Sequence, residues 1–281
     1  MSNQATLPRS THIGRVFLRV GDLDQTVEYY ETVIGLTTHQ HDDGRAVLGT
    51  GTDPLVVVVA APDVPPRSRT ETGLFHVAFR VPSRTALAAA LGRIRDHDRW
   101  QLDGASDHLV SEALYATDPA GNGVEVYCDR PRDAWPTPAD GSVGMETRPL
   151  DIESLPEHSQ EPTVPSGTTV GHVHLENSSL AAARAFYVDD LGFRVRDQFG
   201  ESALFVAAGD YHHHIGLNTW NERTEPHTGR GLDRFEIVVP DQHTLDTVQS
   251  RLDASGRRFT TTEDGVEVSD PDGIDLRVIT E

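Results

Sequence analysis

The stretch GRVFLRVGDLDQTVEYYETVIGL, residues 14–36, aligns without gaps on GHVHLENSSLAAARAFYVDDLGF, residues 171–193. Leu23 falls on Leu180, Tyr30 on Tyr187 and Gly35 on Gly192. Likewise the segment opening Gly73-Leu74-Phe75-His76 runs in register through Ile94 with the one opening Gly231-Leu232-Asp233-Arg234 through Leu252, and Pro82 falls on Pro240. Internal repetition of this kind decides the architecture before any local reading.

Within the first copy, residues 16–20 read as a strand. Leu23, Val27, Tyr30 and Ile34 then recur at helical spacing, with Asp22 placed to cap the helix and Gly35 to stop it. Residues 45–49 and 55–60 read as further strands, so the order is β-α-β-β-β. Four such units span approximately 12–61, 72–128, 168–219 and 230–280, which makes the chain α+β and divides it into halves 11–130 and 168–281. Between the halves, residues 131–167 hold seven of the 17 prolines and no sustained periodicity, as expected of an ordered crossing or a linker and not of a domain.

Composition narrows the function classes. A chain of 281 residues with 37% hydrophobic and 24% charged side chains has material for about two globular cores. Asp and Glu total 44 against 24 cations, and every cation is arginine, giving a net charge of −20. Such a surface repels nucleic acid and anionic membranes, which need clustered cations. A salt-rich, halophilic cytoplasm explains the acidic excess, and codon use that favours Arg over Lys is the plainer explanation of the missing lysines. Cys128 is the sole cysteine, which excludes an intramolecular disulfide and a thiolate zinc site. Residues 1–10 are polar, and no run approaches a membrane span, even at 56–61, so the expected location is cytoplasmic. The 14 histidines stand out against this background.

The repeated strand-helix pattern resembles the vicinal oxygen chelate superfamily, which includes glyoxalase I, antibiotic-resistance proteins and extradiol ring-cleaving dioxygenases. In that superfamily two βαβββ units pair into one curled sheet around a metal site, so four units imply two such sheets. The second unit carries His108, Leu114-Tyr115, Asp118-Pro119-Ala120-Gly121 and Glu125. Their order and separations are similar to the extradiol dioxygenase signature, with Ser106 the one departure. By that resemblance the metal ligands are His76, Glu125 and His172, and Tyr115 and His108 stand near the hydroxyl groups of the substrate. The segment Tyr211-His212-His213-His214-Ile215-Gly216-Leu217 is similar to the His-His segment of the same enzymes and selects His213 as the acid/base group, with a pKa expected near neutrality. Strand alternation would put His212 and His214 on the face opposite His213, in structural roles. His174 shares a face with His172 and reads as a packed, hydrogen-bonded ring.

Laying the repeats over one another places Arg15 opposite His172, Arg234 opposite His76 and Arg277 opposite Glu125. A guanidinium stays protonated and repels a metal ion. Pairing units in sequence order would therefore split the ligands between two defective sites. Pairing unit 2 with unit 3 and unit 1 with unit 4 makes one complete site, and either a single chain or exchange within a homo-oligomer could achieve it. Two imidazoles and one carboxylate leave open positions that suit ferrous iron, with Mn(II) as the other candidate. The whole pattern resembles most the small two-domain catechol 2,3-dioxygenases, which implies a catechol-type substrate, O₂ and a role in aromatic catabolism. A metal-dependent glyoxalase or isomerase and a drug-sequestering binding protein are the alternatives on the same fold.

Overall fold

The structure is a computed structural model describing residues 6–139, 141–157 and 161–281. His158, given no chemical role from its loop context, lies outside them. The first unit comprises β1 (His12–Val20), α1 (Leu23–Tyr29), β2 (Thr37–His41), β3 (Arg45–Gly49) and β4 (Pro54–Ala60). The second has β5 (Gly73–Arg80), α2 (Arg84–Arg95), β6 (Gly104–Asp107), β7 (Ser111–Thr117) and β8 (Gly123–Asp129). A two-residue strand β9 (Arg148–Pro149) precedes the third unit, β10 (Thr169–Glu176), α3 (Leu180–Arg184), β11 (Arg194–Phe199), β12 (Ala203–Ala207) and β13 (Ile215–Asn218). The fourth is β14 (Gly231–Val239), α4 (Gln242–Ala254), β15 (Phe259–Thr261), β16 (Gly265–Ser269) and β17 (Asp275–Thr280).

These strands form two curled sheets, one ordered β15-β16-β17-β14-β1-β4-β3-β2 and the other β11-β12-β13-β10-β5-β8-β7-β6-β9. Units 4 and 1 thus share one sheet and units 3 and 2 the other, all within a single chain. Within each unit the first strand lies parallel to the last, β1 with β4 and β5 with β8, a geometry that requires a crossover and explains the intervening helix. Between units the first strands meet antiparallel, β1 on β14 and β5 on β10.

The helices tie together units that the sheets keep apart. Asp22 caps α1 by accepting from the Gln25 N–H. The chain then continues as a π turn, Tyr30–Ile34, and Gly35 ends it at φ +88°, in the left-handed region that glycine tolerates. The third unit repeats this design with a π turn at Ala185–Asp190 and Gly192 at φ +96°. From each π turn a buried tyrosine reaches the acidic-Pro turn of the following unit. Tyr30 Oη donates to Asp118 at 3.2 Å, and Tyr187 Oη to Asp270 at 3.1 Å. In return an arginine of the following helix covers the open carbonyls of the π turn. Arg93 donates to Val33 O, Ile34 O and Glu161 O at 2.8–3.3 Å, and its repeat partner Arg251 donates to Leu191 O at 3.3 Å. Apolar residues from both sheets and all four helices, such as Tyr30, Phe79, Phe186 and Phe235, fuse into one core.

The described residues of the segment 131–167 form an ordered crossing. Trp135, Val143 and Met145 are buried with Val110, Phe205 and Tyr211, and β9 extends the second sheet beside β6. The histidine run departs from the strand expected of it. The named strand β13 begins only at Ile215; His214 still donates its N–H to Val206 O and accepts from Val173 N–H, but its ring takes the Ala208 N–H at Nδ1, and residues 211–213 lie outside the ladder. Alternation consequently does not separate His212 from His213. No helix among the described residues is long and apolar enough to cross a membrane.

Burial lowers the Arg93 pKa to about 10, still far above neutrality, so this side chain brings a charge to three backbone acceptors in the core. Arg93→Ala would leave those carbonyls unpaired and should cost about 3 kcal/mol of stability in urea unfolding, whereas Arg99→Ala on the exposed surface should cost less than about 0.5 kcal/mol.

Candidate metal centre

Three neighbouring strands bring the predicted ligands together. In the ladder His174 lies opposite His76 and His172 opposite Ala78, while Ala78 on its other side faces Glu125 of β8. His76 Nε2 lies 2.9 Å from Glu125 Oε2, His172 Nε2 lies 3.3 Å from the same oxygen, and the two ring nitrogens are 3.3 Å apart. Cis ligands of an octahedron with bonds of about 2.1 Å are about 3 Å apart, so this triangle matches one octahedral face and leaves the opposite face open. All three residues are buried, and they are the metal-competent His, Cys, Asp and Glu group found among the described residues. Glycine permits the close approach. A Cβ on Gly123 would meet Phe75 O at 2.2 Å, and one on Gly171 would meet Tyr127 Oη at 1.8 Å.

Burial opposes ionisation of Glu125, but the facing His172 and His76 rings outweigh it and hold the carboxyl well below the ordinary range. Burial also pushes His172 down to about 4. At neutral pH the cluster therefore presents a carboxylate beside a neutral His172 imidazole, the protonation states that metal binding requires.

The triangle opens into a cavity of about 460 Å³ that holds every other site residue expected from the sequence. His108 Nδ1 contacts Glu146 O at 2.9 Å, and a carbonyl only accepts, so that nitrogen carries the proton. Its Nε2 then accepts from Tyr115 Oη at 2.6 Å. Burial and the neighbouring Glu125 keep the Tyr115 phenol protonated. His213 packs against His172 with ring centroids 4.1 Å apart. Contrary to the expectation of a near-neutral pKa, burial holds it well below the usual imidazole value, so it stands in the cavity as a neutral ring.

Other wall residues were not legible. His174, expected to be hydrogen-bonded, lines the cavity with its buried Nε2 lacking a hydrogen-bond partner among the described residues. Met145, Glu146 and Thr147 come from the crossing segment, where no periodicity marks them. Among the described residues, Phe199 and Trp220, at 39% and 46% exposure, are the large apolar side chains left open to solvent, and both lie on this cavity. On the other sheet, the three arginines at the equivalent positions are ion-paired, Arg15 with Glu236 at 2.6 Å, Arg234 with Asp233 at 2.8 Å and Arg277 with Asp264 and Glu267 at 2.6 and 3.1 Å.

Residues 12–126 and 169–278 match the sequence model of the Glyoxalase/Bleomycin resistance protein/Dioxygenase superfamily, and the chain belongs to that family. It is 40% identical over 275 residues to a catechol-2,3-dioxygenase of Bacillus subtilis (strain 168), covering 95% of this chain and 96% of that protein. Solved structures share the fold at lower identity. A protein of Bacillus subtilis subsp. subtilis str. 168 aligns with a TM-score of 0.65 at 14% identity over 98% of this chain and 86% of its own. Glyoxalase I of Zea mays aligns with a TM-score of 0.59 at 17% identity over 96% of this chain and 92% of its own.

Glu125→Ala removes the carboxylate from the triangle and leaves two imidazole rings. Elemental analysis after gel filtration should find the metal retained by the wild type and lost from this variant, with an unchanged circular dichroism spectrum.

Proposed function

We propose that the protein is an extradiol ring-cleaving dioxygenase that opens catechol-type diols with O₂ at a His76-His172-Glu125 iron(II) site. The observation that carries this reading is the buried triangle of two imidazoles and a carboxylate opening directly onto a cavity furnished with His213, Tyr115 and His108. Bound iron(II) would supply open positions for the diol and O₂ and the redox chemistry that couples them. Mn(II) would fit the same donors.

The chain's own residues would do the rest. Neutral His213 accepts a proton from the substrate side and returns it. Tyr115, protonated and beside Glu125, offers its O–H to a substrate oxygen in place of His108. His108, fixed by the Glu146 carbonyl, directs Nε2 toward the same end of the cavity. A glyoxalase-type reaction needs a further carboxylate or amide as base, and Glu125 is the one carboxylate in the cluster among the described residues.

The walls select among catechols. Phe75, Val110, Met145, Phe199, Phe205 and Trp220 present apolar surface, and none of the chain's 24 arginines is among the described residues lining the cavity. A carboxylate on the ring would lose hydration there and meet hydroxyl groups but no arginine among the described lining residues, inside a chain of net charge −20. The favoured substrate is accordingly a neutral catechol with an apolar substituent.

Anaerobic loading with Fe(II), then catechol and air, should give oxygen uptake and a yellow product; silence across a panel of catechols would sink the assignment. His213→Ala should keep its iron while kcat falls about 10²- to 10⁴-fold. In the same assay 4-methylcatechol should exceed 3,4-dihydroxybenzoate in kcat/KM by at least about tenfold.

A further inference from the structure

The first two histidines of the triple run form a chain that leads away from the cavity. His212 is fully buried, and its ring is held by Tyr211 and Trp135, with centroids 4.0 and 5.2 Å away. Its Nε2 lies 3.0 Å from Asp129 Oδ1 at the end of β8, and its Nδ1 lies 2.8 Å from His213 Nδ1. Asp129 also accepts from Tyr211 Oη at 3.2 Å and faces Arg80 Nη1 at 3.7 Å across its second oxygen.

Donor and acceptor roles along this chain are determined from one end. An ionised carboxylate only accepts, so His212 Nε2 carries a proton. With His212 as the neutral imidazole its other nitrogen is bare, and His212 Nδ1 accepts. His213 Nδ1 must donate to it, which leaves His213 Nε2 without a proton, on the side of the ring away from His212. That is the atom a base in the cavity needs.

We infer that Asp129 and His212 are positioning residues that hold His213 in the tautomer with a bare Nε2. The catalytic significance of that tautomer rests on the dioxygenase reading, but its existence does not. The chain also predicts its own inversion. In Asp129→Asn the amide oxygen turns toward the Arg80 guanidinium, which can only donate, while Tyr211 Oη gives its proton to Tyr127 Oη 2.6 Å away and accepts from the amide, so the amide NH₂ faces His212 Nε2. His212 then carries its proton on Nδ1 and donates to His213, and the His213 proton moves to Nε2, where it blocks the base.

The test is long-range ¹H–¹⁵N NMR on metal-free protein labelled with ¹⁵N-histidine. The wild type should show His213 protonated at Nδ1 and bare at Nε2, and Asp129→Asn should reverse both. With iron, Asp129→Asn should lower kcat about 10²-fold or more while KM stays within a few fold and iron content is unchanged, and Asp129→Glu should recover most of the loss. A proton on His213 Nε2 in the wild type, or no tautomer change in Asp129→Asn, overturns the inference. The expected tautomers in a protein that cleaves no catechol would uphold the positioning chain and overturn the dioxygenase reading.

Discussion

The antiparallel contact between β5 and β10 is the constraint on which the site depends. It joins strands from different halves of the chain and sets His76 diagonally from His172. Glu125 then arrives from β8, the parallel neighbour of β5, and its carboxylate lies within hydrogen-bonding reach of one ring and close to the other. Neither ring nor carboxylate would sit comfortably alone at this depth, because a buried charge needs a partner and a buried imidazole needs a bond. Together they leave one buried concavity of two imidazoles and a carboxylate, a donor set that a divalent cation requires.

The second sheet shows what the same backbone does without that requirement. At the positions matching the three ligands it carries arginines, each balanced by a nearby carboxylate. Duplication thus preserved the shared mechanical parts, the Tyr30–Asp118 and Tyr187–Asp270 ties and the arginine covers on the π turns, while the inner faces of the two sheets diverged. Ties serve the packing of every copy, whereas a ligand set serves only the sheet that uses it.

Legibility in the sequence followed the same division. Features set by local chemistry could be read directly: the Asp22 cap, the Gly35 stop and the strand-helix order each depend on a few adjacent residues. The ligand triangle came from a resemblance and from laying one repeat on another, since its members lie far apart in sequence. What could not be read depends on geometry that no short segment contains. The widening of α1 into a π turn keeps the apolar spacing of an ordinary helix. The wall residues Met145 and Thr147 belong to a crossing whose path is set by the two sheets it spans. Strand alternation over residues 211–214 puts His212 opposite His213, but β13 begins only at Ile215, and the two rings meet at 2.8 Å.

The crossed sheets also bear on how the molecule is made. A ribosome delivers the first 130 residues before β10 or β14 exists, and in that interval β1 and β5 each lack the partner that will cover one edge. Pairing between the halves closes over long stretches of chain, since His76 precedes His172 by 96 residues and Arg15 precedes Glu236 by 221. Contacts so remote in sequence form late and slowly, and unpaired edges invite association with other chains in the meantime. A metal held by His76, Glu125 and His172 could be captured only after synthesis has reached the third unit. A fragment ending anywhere in the first half has no site to load.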